Sequence, residues 1–177
     1  SEFATGQAMR SSLSGKSVQD WKGDVLVVGL LQDQPATELE ARFSGLVAAL
    51  EQQLLRRLVV LGLGPANSFN LDGVRSAAAR AAKAASGHTG NLGLQLSWDG
   101  LEPAAAAAAA AEAARLTLYA DQRFRKAPEQ RRQPEALELI GLPATATAGL
   151  QAVAATCAGV ELARELVAAP PNVVTPA

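Results

Sequence analysis

The sequence predicts an α/β domain of three layers, with a largely parallel, mixed sheet between helices on both faces. Three observations point there. Residues 24–31 (Asp-Val-Leu-Val-Val-Gly-Leu-Leu) and 58–63 (Leu-Val-Val-Leu-Gly-Leu) are apolar without alternation, as in strands covered on both sides. Between such runs lie segments with apolar residues at helical spacing. The two kinds of segment alternate along the chain, the pattern of a sheet built through helical crossovers.

After the first strand, Pro35 and Thr37 open a helix to about Gln53, with Leu39, Phe43, Leu46, Val47 and Leu50 on one side. The second strand is stopped by Gly64 and Pro65. Asn70 is suited to N-cap a helix from Leu71 to about Ala85, whose stripe is Leu71, Val74, Ala78, Ala81 and Ala85. Residues 91–97 alternate with period two and place their leucines on one face, as a strand with one less buried face would. Pro103 fits the first turn of a third helix running through the alanines to about Ala120. Alanine is the strongest helix former, and its small side chain lets a helix sit close to a sheet. A charged, proline-punctuated loop, 121–134, leads to a fourth strand at 136–140. A last helix spans about Ala148 to Ala168, with Leu150, Val153, Cys157, Val160 and Val167 inward, and Pro170-Pro171 ends it. The predicted order is β-α-β-α-β-α-β-α in one domain, residues 9–168. Ser1–Ala8 read as a vector-derived tag before Met9, and residues 169–177 as the start of a linker.

One junction is out of pattern. The first helix meets Leu54-Leu55-Arg56-Arg57 and the next strand with no Gly, Pro or Asn between them. The expectation is a segment missing between Gln53 and Leu54.

Composition excludes several functions. Of 177 residues 49% are hydrophobic, too many for a disordered chain, and only 4% are aromatic, too few for broad stacking on bases or sugars. Sixteen basic residues against 17 acidic ones give a net charge of −1, which argues against a chain-wide hold on nucleic acid or anionic membrane. A single cysteine, Cys157, excludes an internal disulfide framework, and a single histidine, His88, excludes zinc sites built on several imidazoles. No apolar run approaches the roughly 20 residues of a membrane span. The simplest compartment is the cytoplasm.

Candidate sites are few. Gly62-Leu63-Gly64-Pro65-Ala66-Asn67 follows a strand, as a dinucleotide-binding turn does, but Asn67 stands at the third glycine and Pro65 removes an N–H. Arg123, Arg125, Lys126, Arg131 and Arg132 crowd one loop around Phe124 and offer phosphate contacts; Asp121, Glu129 and Glu135 beside them read as an ordinary solvated loop. Cys157 falls on an apolar stripe and reads as core. His88, between Gly87 and Thr89, reads as a surface turn residue. Glu161 and Glu165 have metal-carboxylate spacing, yet Arg164 between them suits a charged helix face. Neither a Gly-x-Ser-x-Gly elbow nor a phosphate-loop Gly-Lys-Ser/Thr occurs.

The most specific stretch is Gly159-Val-Glu-Leu-Ala-Arg-Glu-Leu-Val-Ala-Ala-Pro170-Pro171-Asn172-Val-Val-Thr175-Pro176. It closely resembles the interdomain segment of leucyl (cytosol) aminopeptidases, cyanobacterial ones above all, where a helix ending in Leu-Val-Asn precedes Pro-Pro-Asn and Thr-Pro. Ala168 stands in place of that asparagine. Trp98-Asp99-Gly100-Leu101 and the Tyr119–Phe124 stretch are similar to the family too. The likeness runs from about Lys16 to Ala177. It implies a macro-domain-like amino-terminal domain, with a longer stretch at the Gln53–Leu54 junction. It also implies a separate catalytic domain holding two divalent metals (manganese or zinc, with magnesium as a further candidate) and the motif Asn-Thr-Asp-Ala-Glu-Gly-Arg, which this chain lacks. By that resemblance no catalytic or metal residue is carried by this chain, and no cofactor is expected in it. The parent would release amino-terminal residues from peptides as a homo-hexamer, its peptide substrate met only by the catalytic domain. This domain would serve assembly and access, in contact with its own catalytic domain and neighbouring subunits. Some bacterial relatives bind DNA, which makes the Arg123–Arg132 loop an alternative, nucleic-acid-binding reading. A macro-like ADP-ribose module is the third, and only the Gly62–Gly64 turn speaks for it.

Overall fold

Residues 8–119 and 132–168 are described by this computed structural model. They form β1 (Arg10–Ser14), β2 (Gly23–Leu31), α1 (Ala36–Glu51), β3 (Leu55–Gly64), α2 (Leu71–Ala85), β4 (Asn91–Gln95), α3 (Pro103–Leu118), β5 (Ala136–Ile140) and α4 (Thr147–Ala168). Short 3-10 turns lie at Ala66–Ser68 and Ala144–Ala146.

The strand order is β1-β5-β4-β2-β3. All four pairings are parallel, so the mixed character expected from sequence is absent among the described residues. The sheet also holds a strand that the sequence reading missed. In Arg-Ser-Ser-Leu-Ser of β1 only Leu13 is apolar, and a strand at a sheet edge needs little side-chain burial when its backbone pairs. One row of side chains crosses the whole sheet in register: Leu13, Leu139, Leu94, Val27 and Val59.

That row faces α2, α3 and α4, while α1 covers the other side. Val25, Val27, Leu92, Leu94, Leu137 and Leu139 pack under the alanines of α2 and α3 and under Val153 and Cys157 of α4. On the opposite face Leu46 of α1 joins Leu26, Val28, Leu55 and Ile140, with Val18 and Trp21 from the β1–β2 connection. Helices therefore lie on both faces, three against one.

The polyalanine helix has a structural reason. Ala106, Ala107, Ala109, Ala110, Ala111 and Ala114 are all fully or almost fully buried, and at 3.6 residues per turn they cover an arc of about 200°, more than half of the helix circumference. α3 is enclosed by the sheet, α2 and α4, and only small side chains permit three close approaches. Where α4 crosses it, a Cβ on Gly149 would overlap the Ala104 carbonyl. Glu102, which the sequence reading did not identify as a cap, accepts from the N–H groups of Ala104 (3.0 Å) and Ala105 (2.6 Å). Asn70 caps α2 as expected, accepting from Asp72 and Gly73 at 3.0 and 3.1 Å.

The helix stripes are narrower than their spacing suggested. On α1 only Leu46 is buried, and Val47 is 47% exposed. On α4 Val153 and Cys157 are buried, whereas Val167, expected to face inward, is 89% exposed. α3 and α4 run side by side in the same direction, Ala104 near Gly149 and Arg115 near Glu161, so Val167 has outrun the end of α3 at Leu118.

The α1–β3 junction closes without a glycine. Gln53 adopts φ 57°, its N–H reaches Leu50 O, and the Leu54 N–H reaches back to Ala49 O at 3.0 Å. This is a Schellman cap with glutamine in the left-handed position, where glycine or asparagine is usual. The chain thus passes from α1 to β3 as written, with one backbone conformation that a Cβ disfavours.

Candidate functional site

Of the cationic loop, Arg123, Arg125, Lys126 and Arg131 lie outside the described residues. Arg132 is exposed, and its carbonyl accepts the Gly87 N–H at 2.9 Å, which ties the loop's end to the turn after α2. In that turn His88 is half-buried and its Nε2 lies 3.2 Å from Arg57 Nη1, which also donates to Ala84 O at 3.0 Å. A guanidinium can only donate, so Nε2 is the acceptor and the ring hydrogen sits on Nδ1.

One N–H of the Gly62–Asn67 turn that a phosphate would need is already occupied, and Pro65 has none. The Ala66 N–H is taken by Asp33 Oδ2 at 3.0 Å, and Gly64 (φ 79°) serves the chain reversal out of β3. Open α/β sheets place ligands between carboxyl ends of strands whose outgoing helices diverge, here β2 and β4. Side chains fill that place: a Cβ on Gly29 would come 2.7 Å from Leu63 Cδ1 and 2.8 Å from Leu96 Cδ2. Both features weigh against the ADP-ribose reading.

Several of the described carboxylates have structural partners instead of a shared focus. Glu138 accepts from Trp21 Nε1 (3.0 Å) and Asn91 Nδ2 (2.8 Å). Asp24 accepts the Asn91 N–H and pairs with Arg56 at 3.4 Å. Glu161 and Arg115 form a two-pronged ion pair at 2.7 Å in each prong, with side chains only 17% and 16% exposed. That hydrogen bond raises the Arg115 pKa further above its ordinary value. Glu165 bonds the Tyr119 hydroxyl at 3.4 Å, and Arg164 lies over the Tyr119 ring and donates to Leu116 O at 3.0 Å. Glu161 and Glu165 thus clamp α4 to the end of α3, where the sequence reading expected an ordinary charged helix face. Their partners sit 46 residues away in sequence, with no local signal to announce them.

Among the described residues no group of three His, Cys, Asp or Glu side chains comes together. A dinuclear metal centre therefore does not fit them. Cys157 is fully buried, and burial pushes its thiol pKa up, the state of an inert core thiol. The depression beside the α1–β3 cap, about 360 Å³ and lined by Leu50, Gln53, Leu55 and Arg56, carries one charged side chain and no acid–base pair.

Toward its carboxyl end α4 exposes large apolar side chains: Leu162 is 56% exposed and Leu166 54%, beside Val167. By length and composition Ala144–Ala168 could cross a membrane, contrary to the sequence expectation of no such run, with an 18-residue window of mean hydropathy 1.2. In the fold its Val153–Cys157 face is packed on α3 and the sheet.

Comparison with known proteins places these observations. Residues 40–128 match the model of the cytosol aminopeptidase family, N-terminal domain. A probable cytosol aminopeptidase of Parasynechococcus marenigrum (strain WH8102) is 79% identical over 187 residues, covering 96% of this chain and 38% of that protein. One from Synechococcus sp. (strain CC9902) is 57% identical over 190 residues, covering 96% of this chain and 39% of its own length. The chain therefore spans well under half the length of these relatives. The 187 aligned positions also exceed this chain's 177 residues, so the first relative carries at least ten residues that this chain lacks within the match. A mutant tomato leucine aminopeptidase shares the fold at a TM-score of 0.77 and 25% identity, over 99% of this chain and 41% of that one. With the α/β order, the family match and the cyanobacterial likeness in agreement, the chain belongs to the cytosol aminopeptidase family and corresponds to its N-terminal domain.

Proposed function

We propose that this domain is a non-catalytic part of a metal-dependent leucyl aminopeptidase of the cytoplasm. Catalysis in the parent protein resides in the part of the chain that follows the matched stretch, where divalent metal ions, manganese or zinc, would activate water against the peptide carbonyl. The domain serves assembly into a homo-hexamer and access to the active sites, through contacts with its own catalytic domain and with neighbouring subunits. The observation that carries this reading is one of extent: relatives named probable cytosol aminopeptidases match almost all of this chain with only 38–39% of their own length. The bare Leu162–Leu166–Val167 end of α4, the last element described, supports it as the place where the following domain docks. The relatives' names support the compartment.

The test is hydrolysis of leucine p-nitroanilide with manganese or zinc. The chain alone is expected to show no turnover above buffer. Fused to the part of the Parasynechococcus relative that follows the match, it is expected to show full metal-dependent turnover. Turnover by the chain alone would overturn the reading, as would an inactive, correctly folded fusion.

A further inference from the structure

We propose that the Asp99–Gly100 bond is a site of spontaneous modification, at which aspartate isomerises to isoaspartate in the folded protein. The inference goes beyond the proposed function and needs no catalytic part.

The chemistry needs an aspartyl side chain followed by a backbone nitrogen that can reach it. That nitrogen attacks the side-chain carbon Cγ and forms a C–N bond. One water leaves, made of the amide hydrogen and the carboxyl hydroxyl, and a five-membered succinimide remains. A second water then opens the ring. Opening at Cγ returns aspartate, whereas opening at the main-chain carbonyl leaves the chain running through Cγ, which is isoaspartate. The sum is an isomerisation with water as the co-reactant. Glycine is the most permissive neighbour, because it sets no Cβ against the attack and its backbone turns freely. The sequence holds two Asp-Gly bonds, Asp72–Gly73 and Asp99–Gly100, and the fold treats them oppositely.

Asp72–Gly73 is locked. Both residues lie in the first turn of α2, where Asn70 Oδ1 holds the Gly73 N–H at 3.1 Å and Arg75 holds the Asp72 carboxylate at 2.9 Å. Bringing Gly73 N onto Asp72 Cγ would break both contacts and unwind the start of a helix packed in the core. Asp99–Gly100 is open. These are the middle residues of the turn between β4 and α3, closed by one hydrogen bond from the Leu101 N–H to Trp98 O at 3.2 Å. Gly100 has φ 77°, the conformation that the third position of a type II turn requires. Both residues are exposed, and a Cβ on Gly100 would meet nothing within 4 Å. Among the described residues nothing holds the Asp99 carboxylate or the Gly100 N–H. The flanks are fixed, by the Trp98 indole on Ile140 O at 2.7 Å and by the Glu102 cap of α3. The turn can therefore open without its surroundings, and the isomer's extra main-chain carbon falls where the sheet passes the chain to α3.

The experiment ages the folded chain in mild buffer and digests successive samples with trypsin for chromatography and mass spectrometry. An isoaspartyl methyltransferase reports the isomer. The two bonds fall on separate peptides, 58–75 and 84–115. In the folded protein peptide 84–115 is expected to split into two species of equal mass, one of them accepting methyl groups. It should do so at least about tenfold faster than peptide 58–75, since an exposed turn opens more often than a packed helix. In urea the two peptides should react at comparable rates, because only the fold separates them. Asp99→Glu, whose longer side chain would have to close a six-membered ring, should abolish the signal from 84–115. The proposal is overturned if peptide 84–115 stays single in the folded protein while it splits in urea. It is equally overturned if the two peptides keep in the folded protein the ratio they show in urea, or if the split survives Asp99→Glu.

Discussion

The Trp21 indole occupies the space that any side chain on Gly93 would need: a Cβ there would come 2.8 Å from Cε2 and Cζ2. Gly93 lies on the central strand β4, and Trp21 packs on the same face of the sheet as α1, held by its hydrogen bond to Glu138. Gly93→Ala should therefore destabilise the domain by about 1–3 kcal/mol, since neither an indole nor a central strand yields easily. Urea unfolding followed by tryptophan fluorescence measures it. A loss below the error of the method would show that the indole can move aside.

α4 contains an internal pair of controls. Gly149→Ala should cost about 1–3 kcal/mol, because the new methyl meets the Ala104 backbone and forces α3 and α4 apart. Gly159→Ala has open space around it in the same helix and should stabilise by about 0.5–1 kcal/mol through backbone entropy. Opposite signs in one thermal-melt series are the expected result.

The Arg115–Glu161 pair should be worth more than an exposed ion pair. Removing either charge alone leaves the other partly buried, at a cost of about 1.5–3 kcal/mol. Arg115→Met combined with Glu161→Met should lose less than the sum of the singles. A double-mutant cycle by urea denaturation checks this, and strict additivity would show that the pair contributes nothing as a pair.

Cys157 sets an alkaline limit. Burial raises its folded pKa above the ordinary value of a thiol, so the unfolded chain gives up the thiol proton first. Its contribution is fully present below the unfolded pKa and is lost as pH rises through the folded one. Stability should fall above about pH 9 in the wild type and fall less in Cys157→Ala, measured by urea midpoints across that range. Native protein should also resist thiol-specific alkylation that proceeds readily in urea.

Much of the fold was legible in the sequence because helix termini carry local chemistry. Asn70 and Pro103 mark the starts of α2 and α3, and the runs at 24–31, 58–63 and 136–140 fall on β2, β3 and β5. β1 was not legible, because its pairing with β5 is a backbone property that Arg-Ser-Ser-Leu-Ser does not encode. The Gln53–Leu54 junction was legible as out of pattern because no turn residue stands there; the helix closes through a disfavoured φ, and the first relative carries residues within the match that this chain lacks. The site was legible mainly by exclusion. One histidine and one cysteine leave little to assemble, whereas the Arg115–Glu161 clamp joins residues whose meeting only the tertiary fold decides.

The pairing of β1 with β5 has a consequence for how the chain is made. Arg10 leaves the ribosome long before its partner Ala136, by roughly 6–25 s at about 5–20 residues per second. β2 and β3 lie close in sequence and can pair early, but the amino-terminal strand must wait, unpartnered, for nearly the whole domain to emerge. Its serines and arginine keep it soluble during that interval, so a sequence poor as a strand in the finished fold is well suited to a nascent chain.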